Sequence, residues 1–469
     1  MIRVIWLINK HNLGRRVMRG KSMRRIFQWM VLAALPTLGL AQPSYFRDVR
    51  PILQKNCQGC HQPASKMSGL DITTFENFKA GGARGAAFVP GAPDESLLLR
   101  FMTGAMEPPM PFGMDPLPAE SIDLIREWIR AGASDDSPAE MESSEPTVYH
   151  QPPVIAALAF SPNGKILAVG GNREVLLHHA DGSGLVKRLQ GRAERILSLE
   201  FSRDGGILVA AGGTPARSGE VQIWDAREGK LLRAASVTSD TVFGASLSPD
   251  GRTVAVGCTD NTVQAFETAT AKELFKISSH ENWVLATVFG VDSKRLVSVG
   301  RDGAAKLTDA RAGQFLENVN KLRGELSAVA RHPDKDLIVI GGEDRTPYVY
   351  MMDRPRNMKV GEDATLVREL ERQDGVILAL AWSPDGKHIA VAGSAPSVNV
   401  YDAEAGKRVA ACTGHSAGIY ALAFSPDGSK LATGGFDGSV RLYAADCRLI
   451  KAFVPVPISS PAQSGGGVQ

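Results

Sequence analysis

The chain is poor in cysteine: there are five among 469 residues, and three of them, Cys258, Cys412 and Cys447, stand alone and far downstream of the other two. A structural zinc site wants two further Cys or His at short range, which the upstream pair does not have. The three lone cysteines read as buried small apolar residues. Also missing are a phosphate-cradling glycine loop, a nucleophile elbow and a metalloprotease helix, which removes the enzyme classes that depend on them. The apolar run at 29–40 is too short to cross about 30 Å of hydrocarbon. An excess of one charge is absent too. The 53 Lys and Arg face 50 Asp and Glu, and eight of the bases lie in residues 1–41, which contain no acid. The remainder carries 45 basic against 50 acidic residues, a mildly acidic balance with no nucleic-acid footprint.

Against this background one stretch has residue types whose spacing demands a chemistry: Cys57-Gln58-Gly59-Cys60-His61. Two thiols three positions apart can each add to one vinyl group of the same porphyrin, and the histidine that follows at once places its imidazole under the iron. That is the attachment pattern of a c-type haem. A thioredoxin-like pair would sit in a βαβ context and needs no adjacent histidine. One covalent haem c is therefore expected, held by Cys57, Cys60 and His61, with His61 as an iron ligand. The second axial ligand should lie beyond the glycine-rich loops. In Glu107-Pro108-Pro109-Met110-Pro111-Phe112, prolines on both sides stiffen the backbone around a thioether. Met110 is the choice, with Met102, Met106 and Met114 as competitors.

Around this motif the pattern predicts a small all-α domain over 44–133. Phe46, Val49 and Leu53 recur at helical spacing over 45–56, a helix that runs straight into the motif. Between 65 and 93 glycine is frequent, which reads as loop around the cofactor. A short helix follows, with Asp94 as cap and Leu97, Leu98 and Phe101 on its buried side. A closing helix over 118–131 has proline in its first turn and an apolar face of Ile122, Ile125, Trp128 and Ile129, and Gly132 ends it. So small a domain is marginal on its own core, and the porphyrin would supply the missing apolar centre.

Residues 44–133 resemble the Planctomycete cytochrome C family. The resemblance rests on the haem motif, on Val89-Pro90-Gly91-Ala92-Pro93, on Met110-Pro111, and on Trp128-Ile129-Arg130-Ala131-Gly132-Ala133. It implies single-haem electron transfer without naming the partner.

Residues 1–41 have the form of a secretory signal peptide. Arg24 and Arg25 precede the apolar run, and Gly39 and Ala41 stand as small residues before a cleavage point at Gln42. Arg24-Arg25-Ile26-Phe27 is similar to a twin-arginine signal, but general secretion suits a chain that must cross unfolded and receive haem outside the inner membrane. Met23 or Met18 could be the true start. A periplasmic or otherwise exported bacterial protein without a transmembrane anchor after cleavage is expected.

Residues 134–153, rich in Asp, Glu, Ser and Pro, read as an acidic flexible linker, and 455–469 as a disordered tail. Between them, over 154–454, a repeat returns. Phe160-Ser161-Pro162-Asn163-Gly164 reappears in related form from Phe201, Leu247, Phe289, Arg331, Trp382 and Phe424. The starts are 41, 46, 42, 42, 51 and 42 residues apart, the period of four-stranded propeller blades. With Trp224-Asp225 at the end of a third strand, these units resemble a seven-bladed all-β WD40 propeller. The fifth unit carries an insertion near 358–366. Either 449–453 or a strand near Val148 closes the ring. His415 with Asp437 and His280 with Asp302 match the strand-knitting pair of such folds, His178 stands at a Trp position and His332 in a turn. His179 and His388 have repeat-structural places as well.

Two functions follow. One is an exported electron carrier whose propeller docks a redox partner protein. The other is a haem-containing oxidoreductase whose propeller binds a second cofactor or substrate. A haem sensor would require an open sixth position.

Overall fold

The protein, described here from a computed structural model, is placed over residues 42–62, 67–136, 147–354, 361 and 363–459. The expected signal peptide, most of the linker core and part of the fifth-unit insertion lie outside the described residues.

The apolar run in the second strand of each repeat decides the larger part of the fold. Runs such as Leu167-Ala168-Val169 and Leu431-Ala432 are buried on both faces, which a strand achieves only when sheets pack against it from both sides. Outer strands such as Glu273–Ile277 and Leu449–Phe453 are largely exposed. Among the described residues, twenty-eight strands accordingly form seven four-stranded antiparallel sheets, each from four consecutive strands. The blades span 158–190, 195–238, 242–277, 284–318, 326–369, 377–412 and 419–453. This is the seven-bladed propeller that the repeat spacing predicts.

The Ser-Pro-Asp-Gly segments are the turns between first and second strands. In blade 7, Ser425 Oγ accepts from Lys430 N at 2.9 Å, Asp427 Oδ1 accepts from Ser429 N at 3.0 Å, and Gly428 takes a φ of 70°. The carboxylate and hydroxyl replace backbone partners that a tight turn cannot supply. In blade 5 His332 takes the serine's place, its Nδ1 accepting from Asp334 N and Lys335 N at 3.0 and 2.9 Å. The acid that ends a third strand caps the next turn: Asp225 Oδ1 accepts from Arg227 N and Glu228 N, each at 2.9 Å.

The ring closes without exchanging a strand. Leu449–Phe453 is the outer strand of blade 7, and the flanking segments do the joining. Ile155 N donates to Gly435 O at 3.0 Å, Tyr149 bridges Ile458 in parallel, and Ser459 N donates to Tyr149 O at 2.9 Å. Tyr149 is buried, and its hydroxyl donates to Glu174 at 2.8 Å, which Arg188 grips through two nitrogens at 2.6 and 2.7 Å. The ordered edge of the propeller thus reaches into 147–153 and 455–459, which the sequence boundaries assign to linker and tail.

The helical region begins with a wide turn at Tyr45–Val49, whose N-cap Ser44 accepts from Arg47 N, and continues as α1, Arg50–Asn56. The glycine-rich stretch is not all loop, because α2, Phe75–Ala80, forms within it. Thr74 caps it by accepting from Asn77 N at 3.1 Å, and Phe78 is wholly buried. α3, Leu97–Met102, follows Ser96, not Asp94, which falls in a preceding 3₁₀ turn. Its fully buried residues are Leu99 and Met102; Leu98 is half-buried and packs against the same core, while Leu97 and Phe101 are half-buried. α4, Ala119–Arg130, buries Ile125, Trp128 and Ile129. These pack with an aromatic cluster of Tyr45, Phe75, Phe78 and Phe88, ring centroids 4.8–6.4 Å apart. The region therefore owns a compact core of its own. Among the described residues no helix is long and apolar enough to cross a membrane.

Candidate functional site

Bordering the same core, which supplies Leu53, Ile72, Ala87 and Met102 to its wall, α1, α3 and the loops after them enclose a cavity of about 390 Å³. Cys57, Cys60, His61 and Met110, the four residues singled out in the sequence, all line it. Cys57 ends α1, and Cys60 N and His61 N both return to Cys57 O at 3.2 and 3.1 Å. That tight turn is why the 57–61 spacing delivers two thiols and an imidazole to one space. Burial, with Cys60 beside it, pushes the Cys57 thiol up to about 11, so it stays protonated at neutral pH.

His61 is oriented by a partner the sequence does not reveal. Its Nδ1 lies 3.1 Å from Met67 O. A carbonyl only accepts, so Nδ1 carries a proton; in the neutral imidazole Nε2 then keeps a lone pair, and Nε2 takes no hydrogen bond from the described residues. A backbone acceptor behind the distal nitrogen is the usual arrangement for an imidazole that ligates a metal.

Met110 comes from the proline-rich loop and is tied to α3 by Met110 N to Phe101 O at 3.0 Å. Of the competing methionines, Met102 lies in the core against the cavity wall, Met114 is 64% exposed but also lines the cavity, and Met106 does not line it. Met67, absent from the sequence reading, lines it as well. Most of the remaining lining is apolar: Leu53, Leu70, Ile72, Ala87, Leu97, Leu98, Phe101 and Pro108. Two thiols, one imidazole and the thioethers of four methionines around an apolar hollow are a donor set that would suit a covalently held haem.

The propeller's histidines are placed differently. His280 Nδ1 donates to Asp302 at 2.9 Å while its Nε2 accepts from Ser298 Oγ at 2.8 Å. His415 repeats this with Asp437 at 2.9 Å and Thr433 at 2.7 Å. The order Ser-His-Asp imitates a hydrolase triad, but Ser298 and Thr433 are sealed inside strands, so no substrate reaches them. His178 Nε2 donates to Pro455 O at 2.9 Å and is part of the ring closure.

The lone cysteines need one correction. Cys258 is buried, but Cys412 and Cys447 form a disulfide across 35 residues. Cys412 ends the outer strand of blade 6 and Cys447 sits in a turn of blade 7. Their proximity belongs to blade packing and leaves no trace in local spacing.

Comparison with known proteins divides along the same line. The model of the WD domain, G-beta repeat family matches residues 229–267 and 406–444, and that of the Anaphase-promoting complex subunit 4 WD40 domain matches 329–420. The model of the Planctomycete cytochrome C family matches 57–111, a short stretch that runs from the first thiol to just past Met110. Among curated proteins, the chain is 22% identical to Autophagy-related protein 16 of Arabidopsis thaliana over 49% of its own length and 43% of the relative's. It is 29% identical to Transcription factor unc-37 of Caenorhabditis elegans over 42% and 31%. The chain thus spans less than half the length of either relative.

Proposed function

We propose that the protein is an exported mono-haem c-type cytochrome that transfers electrons, with its WD40 propeller serving as a docking scaffold for a redox partner protein. The observation that carries this reading is the state of His61: one nitrogen is held by the Met67 carbonyl and the other is left with a lone pair, in a cavity shared with two free thiols and Met110. When bound, the haem supplies one-electron chemistry at its iron. Cys57 and Cys60 would hold it through thioethers, and His61 Nε2 and Met110 Sδ would be the atoms offered to its iron. A thioether ligand beside one imidazole would raise the reduction potential relative to a second histidine. The apolar lining keeps water from the site and disfavours the more highly charged oxidised state. Export is supported by the form of residues 1–41 and by the Cys412–Cys447 disulfide, a bond that persists in oxidising compartments. Docking is supported by the WD40 matches and by variable rim loops, where propellers carry their contacts.

The test is the full chain produced with c-type haem maturation. Denatured protein should keep its haem on a peroxidase-stained gel, and Cys57→Ser with Cys60→Ser should lose it entirely. Met110→Ala should abolish the long-wavelength charge-transfer band of the oxidised protein, while Met114→Ala leaves it. Haem that acid acetone extracts from the wild type would refute the covalent reading.

A further inference from the structure

One charged side chain in the cavity wall has no part in this ligand set. Among the described residues that line the cavity, Arg84 is the single Arg, Lys, Asp or Glu, and apart from the two thiols His61 is the other titratable group. Its position is built by a tight hairpin. Gly82 and Gly85 exchange both backbone hydrogen bonds at 3.0 Å, and Ala83 N is fixed to Ser68 O at 2.7 Å. Gly81 takes a φ of +79°, and a Cβ there would lie 2.1 Å from Gly85 O, so the turn admits no side chain at that position. At the tip the Arg84 guanidinium lies 5.1 Å from the Phe101 ring centroid, and its Nη1 donates to Glu107 O at 3.1 Å. Five N–H donors are available on a guanidinium. One is used here.

A porphyrin of this class carries two propionates, and a carboxylate at the edge of an apolar hollow is costly unless a cation meets it. We propose that Arg84 is the propionate anchor of the site: its remaining N–H donors receive a haem carboxylate where the 81–85 hairpin meets the 107–110 loop. This rests on the haem reading above. Because Nη1 also holds the carbonyl three residues before Met110, the same side chain ties the cofactor's carboxylate to the loop that bears the thioether. It acts there as a binding and positioning residue.

The experiment is a redox titration of the full-length, haem-loaded protein from pH 5 to 9, comparing wild type, Arg84→Gln and Arg84→Lys. A cation beside a carboxylate lowers its pKa by one unit or more, and it also disfavours the oxidised haem, which carries one more positive charge. In Arg84→Gln the pH-dependent segment of the potential should move up by about one pH unit, a tenfold change in proton affinity. The neutral-pH potential should fall, while the covalent haem and the Met110 band persist. Arg84→Lys should restore much of the pH profile. A pH profile in Arg84→Gln that superimposes on wild type overturns the proposal, and so does loss of the Met110 band with an unchanged profile, which leaves Arg84 only the Glu107 carbonyl. Wild-type protein without covalent haem refutes the cofactor reading itself, an outcome visible on the stained gel before any titration.

Discussion

His61 and His280 are both tied at Nδ1, and Nε2 separates the two regions that contain them. In the propeller the second nitrogen closes a network: Asp302, His280 and Ser298 satisfy one another inside a sheet. In the helical region the second nitrogen of His61 adjoins a cavity and has no partner among the described residues. The thiols divide likewise. Cys412 and Cys447 are joined, Cys258 is sealed, and Cys57 and Cys60 are free at the cavity wall. The propeller also buries polar atoms without partners, His178 Nδ1 and Trp382 Nε1 among them, so what sets the helical region apart is that its thiols and imidazole face one cavity. The propeller has used its histidines for architecture. The helical region has held its reactive atoms in reserve.

If the two regions are separate in energy as well as in chemistry, damage to one core should spare the other. Trp128 is buried at the centre of the aromatic cluster, and its Nε1 donates to Ser134 O at 3.0 Å. Trp128→Ala should cost about 3–5 kcal/mol, enough to unfold a domain this small. Calorimetry of the full chain should show the smaller transition lost and the propeller's unmoved. A shift of both together would make them one cooperative unit and end the comparison.

The complementary change is made in the propeller. By the loop-entropy estimate a disulfide closing 35 residues contributes about 3–4 kcal/mol. Cys412→Ala with Cys447→Ala should lower the propeller's urea midpoint accordingly, and leave the helical region and its spectrum as they were. A midpoint that does not move would mean that the packing of blades 6 and 7 alone holds the ring there.

Much of this division could be read in the sequence, for a physical reason. Short-range patterns carry their geometry with them. The Ser-Pro-Asp-Gly turns satisfy themselves within six residues, so their recurrence predicts the blades. The 57–61 motif bends back on itself, so its three side chains share a space. Features that depend on long-range packing could not be read this way. The Met67 carbonyl behind His61, the Cys412–Cys447 bond, the Tyr149–Glu174–Arg188 latch and the position of Arg84 all join residues whose proximity is decided elsewhere in the chain. Helix α2 is hidden by the glycines that follow it, although Thr74 as N-cap with Glu76 in the first turn is a usable start signal.

The smallest effect expected is a pH dependence confined to the propeller. Burial is the first cause that holds His178, His332 and His415 below the ordinary histidine range. Unfolded, each binds a proton near pH 6.5; folded, each binds it only at lower pH. The unfolded state therefore carries more protons as pH falls through 6.5, and stability is lost on the acid side of that value. Glu200 acts in the opposite direction within the same window. Its burial raises it to about 7, against the lowering effects of the Leu247 N–H at 2.8 Å and of the Arg331 charge. The folded state thus takes up a proton near pH 7 that the unfolded chain takes up only near the ordinary carboxylate range, so Glu200 adds stability as pH falls between those values. The two effects partly cancel in the wild type. Glu200→Gln keeps an oxygen for Leu247 N–H and removes the titration, so its urea midpoint should fall more steeply between pH 7.5 and 5 than that of the wild type. Equal slopes would show that Glu200 stays ionised in the folded propeller, with Arg331 as its effective partner across the inner strands.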